Sequence, residues 1–302
     1  MDQEELELVR GIEVGTASVN WGFDPLYTWV QPPPFDRLLD EMAAAGYSGT
    51  EISYHFPDDI VALRAQLDHR GLRAAASFKA LDLRDATKHD AAIADVARAA
   101  NRLAGLGSHV VIISDEPSAH RLAVAGRVSA DGSDALDDGG WRSMAIGLNR
   151  LGDLLSGRGF RAVFHPHVGT YVETRAEIDR LCASTDPALI GLCPDTGHLA
   201  YAGASSEDVF RDYAQRIGYV HLKDVDGRLL AHVRDQRIGF AQAVKLGLFV
   251  ELGSGMVSMQ AIFGALTAAG YRGWVIVEQD APAQPLEAAK RNRQYLRTQF
   301  GL

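Results

Sequence analysis

Along the chain, short runs rich in β-branched and aromatic residues alternate with longer runs in which apolar residues recur every three or four positions. The first kind reads as strand and the second as amphipathic helix. Residues 11–21 (GIEVGTASVNW) predict strand one, and 35–47 (FDRLLDEMAAAGY) a helix that stops at Gly46. Residues 49–53 predict a second strand, 59–71 a second helix and 72–78 a third strand. An Ala-rich helix is expected over 90–107, followed at 108–114 (SHVVIIS) by a continuously apolar strand, the pattern of a strand buried on both faces. The alternation resumes with a helix over 141–159, a strand over 160–167 (FRAVFHPH), a helix over 174–185 and a strand over 188–195 (ALIGLCPD). A helix over 206–217, a strand over 218–225 (GYVHLKDV), a helix over 259–271 and a strand over 273–280 (GWVIVEQD) follow, and 285–300 closes the chain as a helix.

Two stretches break the rhythm. Residues 116–140 are rich in Gly, Asp, Ser and Ala and read as a long loop with a short helical piece. A binding lid and a surface insertion are both open readings of it. Residues 226–258 form a second long loop insert before the last helix–strand unit. Eight strands in strict alternation with helices predict an α/β fold with a parallel sheet. A single (β/α)8 TIM barrel over 1–302 fits, since such barrels take about 250 residues plus insertions. A doubly wound sheet fits less well, because no G-x-G-x-x-G turn follows strand one.

Composition narrows the function. The chain has 302 residues, 47% hydrophobic and 23% charged, with a formal net charge of -9. Nothing in that balance gives the basic footprint of a nucleic-acid binder. Cys182 and Cys193 are too few for a disulfide framework. The polar N-terminus MDQEELELVR shows no signal peptide, and no long apolar run suggests a membrane span. A cytoplasmic protein is expected, with a homo-oligomer compatible with it.

In a barrel of this kind the active site lies at the C-terminal ends of the strands. The polar residues expected there are Asn20 and Trp21 on strand one, Glu51 with His55 beyond it, Lys79, His165 and His167, Asp195 with His198, His221 and Lys223, and Glu278 with Asp280. A lone histidine on a strand is more often a core residue than a ligand, and Asp195 is equally a helix cap. Strands five to eight, however, each end in histidine or a carboxylate. A convergent metal site of His165, Asp195, His221 and Glu278 is the better reading, with His167, His198 and Lys223 near it. Two nitrogens and two carboxylates suit Mn, Co, Fe or Zn better than Ca or Mg.

The same residues carry a resemblance. The pieces NW (20–21), EMAAAGYSGTEIS (41–53), HPHVGTYVET (165–174), EIDRL (177–181), PDTGH (194–198), YVHLKDV (219–225) and AAGYRGWVIVEQD (268–280) resemble the xylose-isomerase-like barrel superfamily. Within it, the likeness is to the inosose dehydratases. It implies one divalent metal, Mn or Co first, and a polyol ketone or keto-sugar substrate. Asp195, His221 and Glu278 match the superfamily's ligand pattern, whereas His165 stands where a glutamate is usual. It also implies a carbon–oxygen lyase that dehydrates a 2-keto-myo-inositol-type ketone through a metal-stabilised enediolate. Glu278 is then the first choice of base, His165 or His167 the second, and Lys223 or His198 the proton donor. Asn20, Trp21, Glu51, Lys79, His167 and Arg228 become substrate-binding candidates. Glu251 and Ser254 are expected to alter the pocket. Glu173 reads as a helix-start residue, Phe78 as pocket wall or packing, and Trp141 as packing. A keto-sugar isomerase or epimerase on the same barrel is the alternative, weakened because only Glu278 of the usual two-glutamate base pair is present. An endonuclease would need a basic groove that the charge denies it.

Overall fold

The structure, a computed structural model, describes residues 11–302. The N-terminal stretch discussed above lies outside the described residues. Eight strands follow one another round a barrel. Strand β1 is Ile12–Thr16, β2 Gly49–Thr50, β4 Val110–Asp115, β5 Arg161–Phe164, β6 Ile190–Leu192, β7 Val220–Leu222 and β8 Gly273–Val277. Strand β3 runs as two ladder segments, Arg73–Ala74 and Ser77–Leu81. Its first segment pairs with β2 and its second with β4, so one bent strand joins two half-barrels. β1 closes the ring by pairing in parallel with both β2 and β8. The seam between β6 and β7 is held by two isolated parallel bridges, Leu192↔Ile217 and Asp195↔His221. The predicted (β/α)8 barrel is therefore the fold that forms.

Two apolar cores hold it. Ala17, Ala75, Ala76, Ile112, Val163, Cys193, Tyr219 and Ile276 fill the barrel interior. A larger cluster lies between strands and helices, with Leu38, Leu63, Val96, Leu148, Ile178 and Phe263 reaching it from successive helices. Close packing sets one glycine: a Cβ on Gly49 would lie 2.4 Å from the Trp274 ring and 2.7 Å from the Arg73 carbonyl. Side-chain caps start many of the helices, among them Asp59, Thr174, Asp195, Asp226 and Ser258. Each cap contributes about 1 kcal/mol by satisfying an amide that the first turn leaves unpaired.

The sequence reading departs from the structure where the barrel overrides local pattern. β1 stops at Thr16 and the chain turns into a 3-10 helix, Ser18–Trp21. The predicted strand five ends at Phe164, which leaves His165 and His167 on the loop beyond it. Residues 226–258 are not a loop. They carry helices Gly227–Asp235 and Phe240–Lys245, then Phe249–Val250, which pairs antiparallel with Asp224–Val225. The buried Asp224 carboxylate accepts hydrogen bonds from the amides of Gly253, Gly255 and Val257. The 116–140 segment does contain a short helix, Ala119–Val124. Its Arg121 is fully buried, bonded to Glu177 at 2.6 Å and facing Glu173 at 3.7 Å. The Glu173 carboxylate accepts from the amides of Gly126 and Gly169. It therefore ties two loops together, while Thr174 caps the helix with a capping box. No helix of the described residues is long and apolar enough to cross a membrane.

Candidate active site

A cavity of about 820 Å³ opens at the C-terminal ends of the strands. Its floor is made by Glu51, His165, His167, His198, His221, Lys223, Glu278 and Asp280. Glu51, His165, Lys223 and Glu278 each sit one position past the end of a strand, where a rigid sheet edge aims them inward.

His165 donates from Nδ1 to the Cys193 carbonyl at 3.0 Å, since a carbonyl only accepts. In the neutral ring this leaves Nε2 bare toward the cavity. His167 is fixed in the same way on its neighbour, Nδ1 to the Val168 carbonyl at 2.7 Å. Burial pushes His165 well below the usual histidine range, and His221 and His167 add to the shift. His198 is also pushed well down, by burial first and then by His167 and Lys223. Both rings are therefore neutral near pH 7.

His221 is oriented differently. Its Nε2–H donates to Glu51 Oε1 at 2.7 Å, which turns Nδ1 toward Asp195 Oδ2 at 3.8 Å and Glu278 Oε2 at 3.5 Å. Burial opposes its charge, but Cys193, Glu278 and Glu51 together raise it well above the usual value. Asp195 is the helix cap that the sequence suggested, and it leaves its second oxygen unused. Oδ1 caps the helix Thr196–Ala202 through the amides of Gly197 and His198. Oδ2 is left buried without a hydrogen-bond partner, as is His221 Nδ1. Burial pushes the Glu278 carboxyl up to about 7, against the pull of His221 and Lys223. Lys223 is buried against three carboxylates, Asp280 at 2.7 Å, Glu278 at 3.2 Å and Asp195 at 3.6 Å. Burial opposes its charge, yet these acids raise it further and keep it an ammonium.

The donor set fits a divalent cation. Two orphaned buried atoms, Asp195 Oδ2 and His221 Nδ1, face each other beside a carboxylate. Glu51, His221 and Glu278 offer ligand atoms within 4.8 Å of one another, and so do His165, Cys193 and His221. Cys193 is the weaker donor, because burial pushes its thiol up to about 11 and keeps it neutral. His165, His167 and His198 form a third such group.

Several expected residues lie elsewhere. Trp21 is core, its indole N–H donating to Glu41 at 2.7 Å under the helix Phe35–Ala44. Asn20 is spent on backbone: its amide donates to the Val277 carbonyl and its oxygen accepts from the Gln279 amide, so it supports β8 from behind. Arg228 is exposed in the first turn of Gly227–Asp235 and does not line the cavity. Lys79 lines only the outer part and is paired with Asp95 at 2.8 Å. Glu251 points away to Arg291, and neither it nor Ser254 lines the cavity. Trp141 packs in the core, as read, with the Arg180 guanidinium over its ring. Phe78 does line the wall.

Three residues that the sequence reading did not place in the site, Tyr27, Asp24 and Phe240, take part in it. Tyr27 donates to Asp280 Oδ2 at 2.5 Å, and Asp24 lines the cavity beside it. Both come from the loop after the 3-10 turn, whose turn-forming DPLY sequence gave no chemical signal. Asp280 was noticed at the strand end and here anchors Lys223. Phe240 reaches the site from the 226–258 insert, its ring 5.8 Å from His198 and 6.5 Å from His167.

Comparison with known proteins places the barrel in a family. Residues 39–299 match the model of the xylose isomerase-like TIM barrel family. An inosose dehydratase of Geobacillus thermodenitrificans (strain NG80-2) is 35% identical over 297 residues, covering 96% of this chain and 98% of its own. One from Lacticaseibacillus casei is 34% identical over 288 residues, covering 94% and 96%. Among solved structures, an L-ribulose 3-epimerase superposes with a TM-score of 0.69 at 21% identity, covering 94% of this chain and 93% of its own. A probable 3-DHS dehydratase of Bacillus anthracis does so at 0.70 and 13%, covering 94% and 98%. With an eight-stranded barrel, polar groups gathered at its C-terminal mouth and a family match across most of its length, this chain belongs to the xylose isomerase-like TIM barrel family.

Proposed function

We propose that this protein is a hydro-lyase that removes water from a cyclic polyhydroxy ketone of the inosose type. The supporting observation is the joint one of full-length relatives named inosose dehydratase and a buried acid–base cluster built for that chemistry. His165, Asp195, His221 and Glu278 would hold one divalent cation, Mn2+ or Co2+ in the first instance. Bound there, it supplies Lewis-acid polarisation of the ketone.

The chain's own groups do the rest. Glu278, its Oε2 3.5 Å from His221 and 3.2 Å from Lys223 at the cavity floor, takes the proton from the carbon beside the ketone. The electron pair left behind forms the new double bond as the β-hydroxyl departs. The Lys223 ammonium gives that hydroxyl the proton it needs to leave as water, while the neutral His198 ring can orient the hydroxyl but has no imidazolium proton to give. The Lys223 ammonium also offsets negative charge developing on the substrate oxygens. Glu51 and Asp280 act indirectly, by orienting His221 and Lys223. The bare Nε2 of His167, which holds no cation in this assignment, faces the same space and keeps epimerisation with two bases as the second reading.

Mass spectrometry of Mn2+-loaded and chelator-treated protein with 2-keto-myo-inositol separates these. A product lighter by one water, lost on chelation, supports the dehydratase. An isomer of unchanged mass moves the reading to epimerase. Metal bound by calorimetry without any reaction overturns the substrate assignment.

A further inference from the structure

The cavity is larger than its polar floor needs. Pockets of roughly 300–1,000 Å³ hold drug-sized ligands, and about 820 Å³ is far more than one six-membered polyol ring fills. The excess lies in an outer limb between residues 53–60 and the helix His89–Leu106, lined by Tyr54, Ile60, Phe78 and Ala99. Large exposed apolar side chains are few among the described residues, yet three of them line this cavity: Leu26 at 37% exposure, Phe78 at 36% and Tyr54 at 74%. The limb is continuous with the floor. The Phe78 ring meets His165 edge-on at 5.8 Å. On the opposite bank Tyr54 packs on His55, which stacks on Phe23 at 3.9 Å.

The limb's cations are already engaged. Lys79 and Arg98 share Asp95, at 2.8 and 3.1 Å. Arg102 donates to the carbonyls of Phe56 and Pro57. A phosphate would have to break these contacts, whereas an aromatic or apolar group would cover the exposed rings.

Resting on the proposed function, we infer that the substrate is an inosose-type keto-polyol bearing a neutral, apolar or aromatic substituent. The polyol ring sits on the floor, and the substituent lies in the limb between Tyr54 and Phe78.

The test compares free 2-keto-myo-inositol with its p-nitrophenyl ether, using wild type and Tyr54→Ala. Wild type is expected to favour the aryl ether in kcat/KM by about tenfold or more, equivalent to about 1.4 kcal/mol. Tyr54→Ala is expected to lose most of that preference. Equal kcat/KM for both probes, unmoved by Tyr54→Ala, overturns the inference and leaves the dehydratase standing. Calorimetric binding of the aryl ether separates the two readings. Binding that weakens about tenfold in Tyr54→Ala, with neither probe turned over, supports the limb and sinks the dehydratase. Sedimentation covers the remaining occupant. A wild-type dimer that dissociates in Tyr54→Ala, with selectivity unchanged, identifies the exposed rings of the limb as a contact between copies and overturns the inference.

Discussion

At the residue scale, one side chain serves both halves of the molecule. Asp195 Oδ1 closes a helix and Oδ2 faces the site. Asparagine caps as well as aspartate, so Asp195→Asn separates the roles. Turnover is expected to fall at least about a hundredfold while the melting temperature changes little; Asp195→Ala loses both. Kinetics and thermal unfolding on the same two variants decide it. Trp21 gives the opposite expectation. Its indole is bonded to Glu41 in the core, so Trp21→Phe is expected to destabilise the fold by about 1–3 kcal/mol with kcat/KM unchanged. A loss of activity without loss of stability would return Trp21 to the pocket. Both residues stood out in the sequence as polar or aromatic groups near a strand end. Only the 3-10 turn at Ser18–Trp21, which rotates the chain after β1, tells them apart. No local pattern announces that turn.

At the element scale, the strands were legible wherever burial on both faces writes a continuous apolar run, as at Val110–Asp115. The short strands β2, β6 and β7 were legible for a different reason, since each is followed by a polar, turn-forming signature. Their predicted lengths were too great because the ladder ends before the apolar run does. The helices of 226–258 were missed because they are short: Gly227–Asp235 shows an amphipathic pattern behind the Asp226 cap, but over only nine residues, and Phe240–Lys245 has six. Phe240, which walls the site from that insert, went unseen with them. Tyr27 and Asp280 are 253 positions apart, and only the closed ring brings them together. The 116–140 segment carries its own prediction. Arg121 is buried with Glu177 and Glu173, and Arg121→Ala leaves those carboxylates without their cation. The cost is expected to be about 3–5 kcal/mol. Hydrogen exchange over 116–137 and 168–173 is expected to accelerate before the barrel strands do. Uniform acceleration would mean that the segment is not an independent unit.

At the scale of the whole molecule, stability carries the imprint of a few buried acids. Asp115, at the end of β4, is pushed from 3.8 up to about 6 by burial, against the Tyr171 amide and Arg84. The folded state therefore holds a proton between about pH 4 and 6 that the unfolded chain has released. More protons bound in the folded state means stability falls as pH rises through that window. For a shift of this size the fall is about 2–3 kcal/mol. Asp115→Asn has no such proton. Relative to wild type it is expected to gain stability between pH 4 and 6, with the advantage constant above. Urea midpoints at stepped pH measure this, and a constant difference at every pH would refute it.

The clasp at Asp224 reaches further than the hydrogen bonds it makes. One carboxylate grips the amides of Gly253, Gly255 and Val257, and the short ladder beside it pairs Val225 with Phe249. The insert thus leaves the barrel and returns to it at a single point. Between those two ends the insert is held by packing, with Leu230, Val233 and Val244 buried and Arg234 donating to the carbonyls of Ala200 and Tyr201, so a change there is constrained by those contacts more than by the small entropy cost of closing a longer loop. The helix that presents Phe240 to the site is carried on that stretch, its Ala243 and Val244 buried beneath it. Descendants of such a gene can reshape the substrate wall by trading one segment, and a protein engineer can graft a different one across the same clasp.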